Sequence, residues 1–281
     1  MEITDTPPVH LYQVAYSEAT RAALEPGYLL LDNLDNPRPD WFEYWPLRRF
    51  LLGHTGVVLD ETAFYGFFSP KFGHKTGLTH AQVQDFVRQH APAVDVVLFS
   101  PQPDMGAFFL NVFEQGEAFD PGLIAAYEQL LAHIGRPQQL AGQVMDSRQT
   151  VFSNYFVARP AFWRAWLELN EAMFAVCEGP DTPLRTQLCY PTNYPGPGGH
   201  AERKVFLMER TASLLLANQP RWRSVAHDPY GFGWSTSRFR EHPVDAVISD
   251  ALKLAYREQP FPEYLSAFAN VRERFRQGSV A

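Results

Sequence analysis

Hydrophobic and polar residues follow two different periods along the chain. Short apolar runs bounded by turn residues predict strands at residues 9–16, 28–31, 63–68, 94–99, 150–157 and 222–226. Windows in which apolar residues recur every three or four positions predict helices at residues 17–25, 41–52, 79–90, 107–113, 121–134, 160–177, 202–217, 243–256 and 262–276. Because strands and helices alternate, the pattern indicates an α/β fold with a mixed, mainly parallel sheet flanked by helices.

Local signals add detail to these elements. Thr79 and Gln82 have the spacing of a capping box ahead of one helix, and Pro160 suits the first turn of another. Pro46 falls inside the helix predicted at 41–52, which is therefore expected to start later or to kink. Residues 190–200 are rich in proline and glycine and predict a lid-like loop or a hairpin tip. Neither a repeat nor a linker interrupts the pattern, which favours one domain over residues 1–281 with terminal helices from about residue 243.

Composition and charge narrow the class of protein. The 281 residues are 46% hydrophobic and 20% charged, which is typical of a globular chain. A net charge of -7 argues against nucleic acid as a partner. Cys177 and Cys189 lack metal-type spacing and are expected to be reduced thiols. The acidic start is unlike a signal peptide, and apolar runs stay well below the ~20 residues of a membrane span. We therefore expect a cytoplasmic protein without a transmembrane segment.

The aromatic content is high, at 14%. Aromatic residues cluster at 41–45, 65–72 and 155–166. Such clusters are either core or stacking platforms for sugars and bases.

The loop at 69–77 is the first candidate site. It follows a predicted strand and carries Lys71, Lys75 and Thr76. Ligands of open α/β sheets bind at the carboxyl ends of strands, and lysines with hydroxyls suit a phosphate or diphosphate. The alternative is a solvated surface loop.

Two further polar groups lie near predicted strands. Asp104 follows the strand at 94–99 and is suited either to a metal such as Mg²⁺ or to capping the next helix. Asp146 and Arg148 precede the strand at 150–157, and Asn154 lies within it. Because a buried polar residue is costly without partners, this segment either faces a pocket or satisfies neighbouring backbone groups.

The helix at 202–217 and the loop at 32–40 are the remaining candidates. Glu209 is suited to act as a base, or to pair with Arg203 or Arg210. The loop at 32–40, with Arg38 and then Trp41, predicts either an edge facing a base or sugar or ordinary Asx turns. Common motifs of nucleotide binding, serine hydrolysis, zinc proteolysis and thiol redox chemistry are absent.

Several short segments occur in the order found in a known family. Residues 206–210 read Phe-Leu-Met-Glu-Arg, residues 154–157 read Asn-Tyr-Phe-Val before an aromatic helix, and aromatic segments stand at 41–49 and 65–72. In these features, spread over roughly residues 9–226, the chain resembles small bacterial glycosyltransferases of GT-A-like fold that build capsule and lipopolysaccharide. The resemblance implies a transferase of polysaccharide biosynthesis that moves a sugar from a nucleotide-sugar donor to a glycan or other acceptor.

The resemblance also suggests roles for the candidate residues. The base candidates are Asp146 and Glu209, and the acceptor candidates are Asn154 and Trp163. The donor diphosphate would be bound by basic and polar side chains: Lys71, Lys75, Thr76, Arg148 and Asp104.

The family usually presents a D-x-D-like motif for the metal that holds the donor diphosphate. No two aspartates here stand two residues apart. A cofactor of Mn²⁺ or Mg²⁺ is implied by the resemblance, whereas the missing motif is compatible with lysines that neutralise the diphosphate without a metal. The missing motif also favours a rival function, a non-catalytic binding or interaction protein on a transferase-like fold. A third function, hydrolysis of phosphorylated or glycosidic substrates, requires two carboxylates about 5–10 Å apart in one cleft.

Overall fold

A computed structural model describes residues 7–197 and 199–277. These residues form an α/β fold in which helices flank a six-stranded, mainly parallel mixed sheet. In chain order the strands are β1 (Val9–Ala15), β2 (Leu29–Asp32), β3 (Phe64–Phe68), β4 (Val96–Leu98), β5 (Phe156–Ala158) and β6 (Ser224–Ala226). Their order across the sheet is β2-β1-β3-β5-β4-β6.

Strand direction brings several chain segments to one edge of the sheet. β1 pairs in parallel with β2 and β3, and β4 pairs in parallel with β6. β5 lies between β3 and β4 and is antiparallel to both. The carboxyl ends of the other five strands therefore lie at the same edge as the amino end of β5.

The helices connect and cover these strands. They are α1 (Glu18–Ala22), α2 (Tyr44–Leu51), α3 (Phe72–Thr76), α4 (His80–His90), α5 (Pro103–Ala107), α6 (Val112–Phe119), α7 (Leu123–His133), α8 (Pro160–Cys177), α9 (Pro183–Leu188), α10 (Arg203–Asn218), α11 (Pro243–Glu258) and α12 (Pro262–Gln277). Among the described helices, none has the length and apolar character needed to cross a membrane.

The sequence signals at helix ends are largely confirmed. Thr79 and Gln82 form the reciprocal capping box at the start of α4, and Pro160 is the first residue of α8. Pro46 lies in the first turn of α2. N–H groups in the first turn have no acceptor within the helix, so the absence of an N–H group on proline breaks no helical hydrogen bond. The helix therefore starts later than predicted and is not kinked by this proline.

Two predicted elements are wrong in extent. The strand predicted at 150–157 begins only at Phe156, because Ser153 and Asn154 adopt left-handed backbone angles (φ 59° and 53°) that interrupt an extended chain. The helix predicted at 107–113 spans the junction between α5 and α6, where Asn111 caps α6 by accepting from the N–H groups of Phe113 and Glu114.

The two faces of the sheet are both buried. On β3, Tyr65 and Phe67 belong to the layer formed with α2, α8 and α10. Phe64 and Phe68 point the other way, into the layer formed with α4. This alternation is the period-two pattern of a strand covered on both sides.

Gly66 occupies the centre of β3, between Leu11 of β1 and Val157 of β5. A Cβ atom at this position would lie 2.8 Å from Val157 Cγ2 and 3.1 Å from Leu11 Cδ2. We expect Gly66→Ala to lower the free energy of unfolding by about 1–3 kcal/mol through overpacking. The matched control is Gly142→Ala, where a Cβ meets nothing within 4 Å. Urea denaturation should show the loss for Gly66→Ala alone; equal midpoints would contradict this account of β3.

Candidate functional site

A cleft of about 500 Å³ opens at the carboxyl edge of the sheet. Residues that directly follow three strands line it: Tyr16 after β1, Asn33 after β2 and Ser69 after β3. Ser153, which precedes the antiparallel β5, reaches the same cleft. The place is the one expected for a ligand site in an open α/β sheet.

Two lysines stand on one side of the cleft. The exposed Lys71 precedes α3, and its ammonium forms no hydrogen bond or ion pair with the described residues. Lys75 Nζ donates to Ser153 Oγ at 2.9 Å and lies 5.4 Å from the centre of the Tyr155 ring. Burial lowers the pKa of Lys75, the negative charges of Glu209 and Glu43 partly oppose this, and the positive charge of Lys71 adds to the lowering. A bound anion would relieve this repulsion between like charges.

Two carboxylates line the same cleft. Glu43 lies at the start of α2, and Glu209 lies on α10. Neither side chain forms a hydrogen bond or ion pair with the residues that the structure describes. Burial, followed by the negative charge of Glu43, raises the pKa of Glu209 to about 7. Glu209 therefore changes charge near neutral pH, which suits a group that exchanges protons with a substrate.

The arginines of α10 are engaged elsewhere, which leaves Glu209 unpaired. Arg203 binds both oxygens of Asp120, at 2.6 and 2.8 Å. Arg210 donates from Nε to the carbonyl oxygen of Val112 at 2.8 Å. The alternative in which Glu209 pairs with Arg203 or Arg210 is therefore not the arrangement observed.

Strained backbone is concentrated at the cleft. Within the described chain, five residues other than glycine have positive φ angles, and four of them line the cleft. Such conformations cost about 1–3 kcal/mol each and are typical of functional sites. The four cleft residues are Asn36, Phe42, Gln102 and Ser153; the fifth is Asn154.

The loop at 32–40 contributes an unsatisfied polar group. Asn33 is 2% exposed and lines the cleft. Its Nδ2 donates to Asn36 Oδ1 at 3.1 Å, but its Oδ1 receives no hydrogen bond from the described residues. A buried acceptor without a partner is costly, so this oxygen is suited to a donor group on a ligand.

Arg38 and Trp41, from the same part of the chain, do not reach the cleft. Arg38 forms ion pairs with Asp40 and Glu178. Trp41 is fully buried and donates to Glu178 at 2.9 Å.

Aromatic side chains form part of the cleft wall, and among the described lining residues Phe42 alone comes from a predicted cluster. Trp163 and Tyr155 are fully buried, as is Trp41, so those positions are core. Tyr194 and Phe206 line the cleft instead and meet edge to face, with ring centres 5.6 Å apart. The loop at 190–200 has a β-bridge at its base, between Pro191 and Glu202. The described part of the loop is therefore closed at its base as in a hairpin tip, and Tyr194 and Pro197 border the cleft.

Thr76 and Asp104 are occupied by other parts of the protein. Thr76 is buried and donates its hydroxyl to the carbonyl oxygen of Phe72, one turn earlier in α3. Asp104 is fully buried and accepts hydrogen bonds from Ser235 and Ser237. The helix cap before α5 is Gln102, so Asp104 is not the predicted cap either.

Asp146 and Arg148 form an internal ion pair outside the cleft. Arg148 donates to both oxygens of Asp146, at 3.1 and 3.0 Å, and also to Glu258. Asp146 is fully buried, and Arg257 lies 3.7 Å from it. A carboxylate enclosed by two guanidiniums is a structural anchor for α11, and it is not placed to take a proton from a substrate in the cleft.

Asn154 and Trp163 lie behind the cleft. Asn154 is 4% exposed, and its Oδ1 receives no hydrogen bond from the described residues. Trp163 is fully buried in the core, with an accessible surface of 0%, and its Nε1 donates to the carbonyl oxygen of Tyr65. The structure thus brings together Lys71, Lys75 and Glu209 from the predicted set.

Sequence reasoning missed Glu43. It lies in a segment that reads as an ordinary helix start, and its place in the cleft depends on Phe42, whose φ is 46°. One signal was available: Glu43 follows two aromatic residues directly after a turn-rich loop. Among the described residues, no group of three or more His, Cys, Asp or Glu side chains is arranged to hold a metal ion.

Comparison of the chain with protein-family models, curated proteins and solved structures gives no match. The chemistry of the cleft itself is therefore the basis for inferring function.

Proposed function

We propose that the chain is a GT-A-like glycosyltransferase that moves a sugar from a nucleotide-sugar donor to a glycan or other acceptor. The observation that carries this proposal is the meeting of two lysines and two unpaired carboxylates in one cleft at the carboxyl edge of the sheet. A nucleotide-sugar reaction needs positive charge for the departing diphosphate and a carboxylate for the acceptor hydroxyl.

The lysines serve the donor. Lys71 and Lys75 bind the diphosphate oxygens and stabilise the negative charge that develops as the bond from the sugar C1 to the diphosphate breaks. Lys75 is held in position by Ser153, whose Oγ lies 2.9 Å from Nζ. The free acceptor oxygen of Asn33 is suited to an N–H group of the donor base.

Glu209 serves the acceptor. Its carboxylate takes the proton of the attacking hydroxyl while that oxygen forms the new bond to C1. Because its pKa is raised to about 7, Glu209 is a stronger base than an ordinary carboxylate; it is about half ionised at neutral pH and largely ionised at mildly alkaline pH. Tyr194 and Phe206 offer apolar ring surface beside it for a sugar.

The test is a thermal-shift and transfer screen with UDP-, GDP-, CMP- and TDP-sugars, each with and without Mn²⁺. A donor at ten times its Kd should stabilise the protein by about 1.4 kcal/mol, which is a rise of several degrees in Tm. A shift with one nucleotide and release of that nucleotide in the presence of an acceptor would support the enzyme. A shift without turnover over a broad acceptor panel favours the non-catalytic binding protein, and no shift with any nucleotide contradicts the donor site.

Replacing the cleft lysines should remove this response. We expect Lys71→Ala and Lys75→Ala each to weaken donor binding about 10- to 100-fold, because a hydrogen bond to a charged group contributes about 1.5–3 kcal/mol. Arg88→Ala is the matched control, since Arg88 is an exposed cation on α4 away from the cleft. Titration calorimetry measures the change; unchanged binding in both lysine variants would exclude them from the donor site.

Glycoside hydrolysis is the second candidate, because Glu43 and Glu209 supply two carboxylates in one cleft. A hydrolase needs such a pair but has no need of the two lysines. Release of sugar from a glycan without any nucleotide would favour hydrolysis over transfer.

A further inference from the structure

Helix α11 buries a polar face. Lys253 Nζ donates to the carbonyl oxygens of Gly106 at 2.6 Å and Phe109 at 2.9 Å. Asp250 accepts from the backbone N–H of Ser147 at 2.8 Å. Lys253 is 0% exposed and Asp250 is 9% exposed. These hydrogen bonds hold α11 against the α5 region and determine which of its sides faces outward.

The outward side of α11 is apolar. It carries aliphatic side chains at positions that share one side of a helix: Val244 (70% exposed), Val247 (46%), Ile248 (40%) and Leu254 (36%). We call these four residues the α11 face. A surface helix normally has the reverse arrangement, with its apolar side against the core. An exposed apolar surface of this kind marks an interaction site.

A groove of about 510 Å³ lies beside the α11 face and shares Val247 with it. Tyr230, Trp234 and Pro243 line the groove. The indole Nε1 of Trp234 already donates to the carbonyl oxygen of Tyr230 at 3.3 Å, so its remaining ring surface is apolar. Aromatic residues of this kind are enriched at the centres of protein interfaces. Two copies of such a surface can interlock, because the ridge of each copy can enter the groove of the other.

A two-fold contact between two copies of the groove would bring opposite charges together. Arg240 and Glu241 both line the groove. Neither forms an ion pair with another part of the described chain. In a two-fold contact every pair occurs twice, so Arg240 of one copy can meet Glu241 of the other, and the reverse.

A lipid surface fits the α11 face less well than a second copy of the chain does. Interfacial helices place lysines and arginines of their polar side among the headgroups. The two cations of α11 are engaged within the protein: Lys253 is buried, and Arg257 donates to the carbonyl oxygen of Val144 and lies 3.7 Å from Asp146. The chain also has a net charge of -7. We propose that the α11 face and the neighbouring groove form the interface of a two-fold symmetric dimer of this chain.

Sedimentation velocity of the full chain across a hundredfold range of concentration tests the dimer by mass action. We expect the wild type to dimerise and Ile248→Glu to weaken the dimer by at least about 100-fold, because two glutamates would face each other near the axis. Val58→Glu is the matched control, since Val58 is 89% exposed in the segment between α2 and β3. It should dimerise as the wild type does.

A charge swap provides a second test that does not place a charge in an apolar surface. Arg240→Glu and Glu241→Arg should each weaken the dimer, and the double variant should restore it. Circular dichroism checks that each variant is folded. A wild type that stays monomeric, or a folded Ile248→Glu that dimerises normally, would overturn the proposal. A monomer that instead co-sediments with vesicles of phosphatidylcholine and phosphatidylglycerol would assign the face to a membrane and overturn it as well.

Discussion

Glu209→Gln is expected to slow the proposed sugar transfer by about 10²- to 10⁴-fold, the usual contribution of a general base. The glutamine keeps the size of the side chain but accepts no proton from the acceptor hydroxyl. Donor binding should change only a few-fold, because Lys71 and Lys75 are untouched. Initial rates at saturating donor, together with the donor Kd from calorimetry, separate the two effects.

The pH dependence of the wild type provides an independent check. Because the pKa of Glu209 is raised to about 7, transfer should increase as pH rises through 7 and then level off. Part of this shift comes from the charge of Glu43. Glu43→Gln is therefore expected to move the rise to lower pH while keeping transfer at high pH. An unchanged profile in Glu43→Gln would mean that another group controls the rate.

Glu209→Gln should also stabilise the folded protein at high pH. The pKa of Glu209 is higher in the folded chain than its ordinary value of 4.5. Between pH 4.5 and 7 the folded state holds the proton more tightly than the unfolded state, so stability falls as pH rises through this window. We expect Glu209→Gln to gain about 3 kcal/mol at pH 8, and the gain to vanish below pH 4.5. A lower stability of Glu209→Gln at pH 8 would contradict the raised pKa of Glu209 on which the assignment as a base depends.

Helices and strands with strong local signals could be predicted from the sequence. The limits of α8 match the prediction because a proline begins the helix and its apolar period continues to Cys177. The strand predicted at 150–157 was too long because apolar residues flank the Ser153-Asn154 pair on both sides, so the pair looks like an interior part of one extended run. Its interruption at Ser153 depends on left-handed backbone angles, which are maintained by the contact with Lys75 and by surrounding packing. Local propensity contains no information about such tertiary contacts.

The candidate site could be predicted only in part, for a related reason. Lys71 and Lys75 follow a strand directly, so the rule for open sheets locates them. Asp146 follows a similar pattern of polar residues near a strand, yet Arg148 and Arg257 enclose it. Whether a charged side chain is free or paired depends on residues distant in sequence, and pairing is what separates a structural carboxylate from one available to a substrate.

Trp163→Ala is expected to lower the free energy of unfolding by about 3–5 kcal/mol. Trp163 is 0% exposed and stacks on Phe156, with ring centres 4.3 Å apart. Its indole N–H also donates to the carbonyl oxygen of Tyr65 at 2.9 Å. Truncation would leave a cavity and an unpaired carbonyl oxygen in the layer between β3 and α8. Urea denaturation should show the full loss.

Tyr194→Ala is the matched control, and it separates a core role from an acceptor role for aromatic residues. Tyr194 lines the cleft and is 56% exposed, so its loss should change stability by no more than about 0.5 kcal/mol. It should instead raise the KM for the acceptor. If the folded fraction of Trp163→Ala shows the larger change in KM, the tryptophan acts on the acceptor through the wall of the cleft. If only Tyr194→Ala does so, the aromatic residues that matter for the ligand are those few on the cleft surface, while the aromatic excess of the sequence serves mainly to fill the two layers around the sheet.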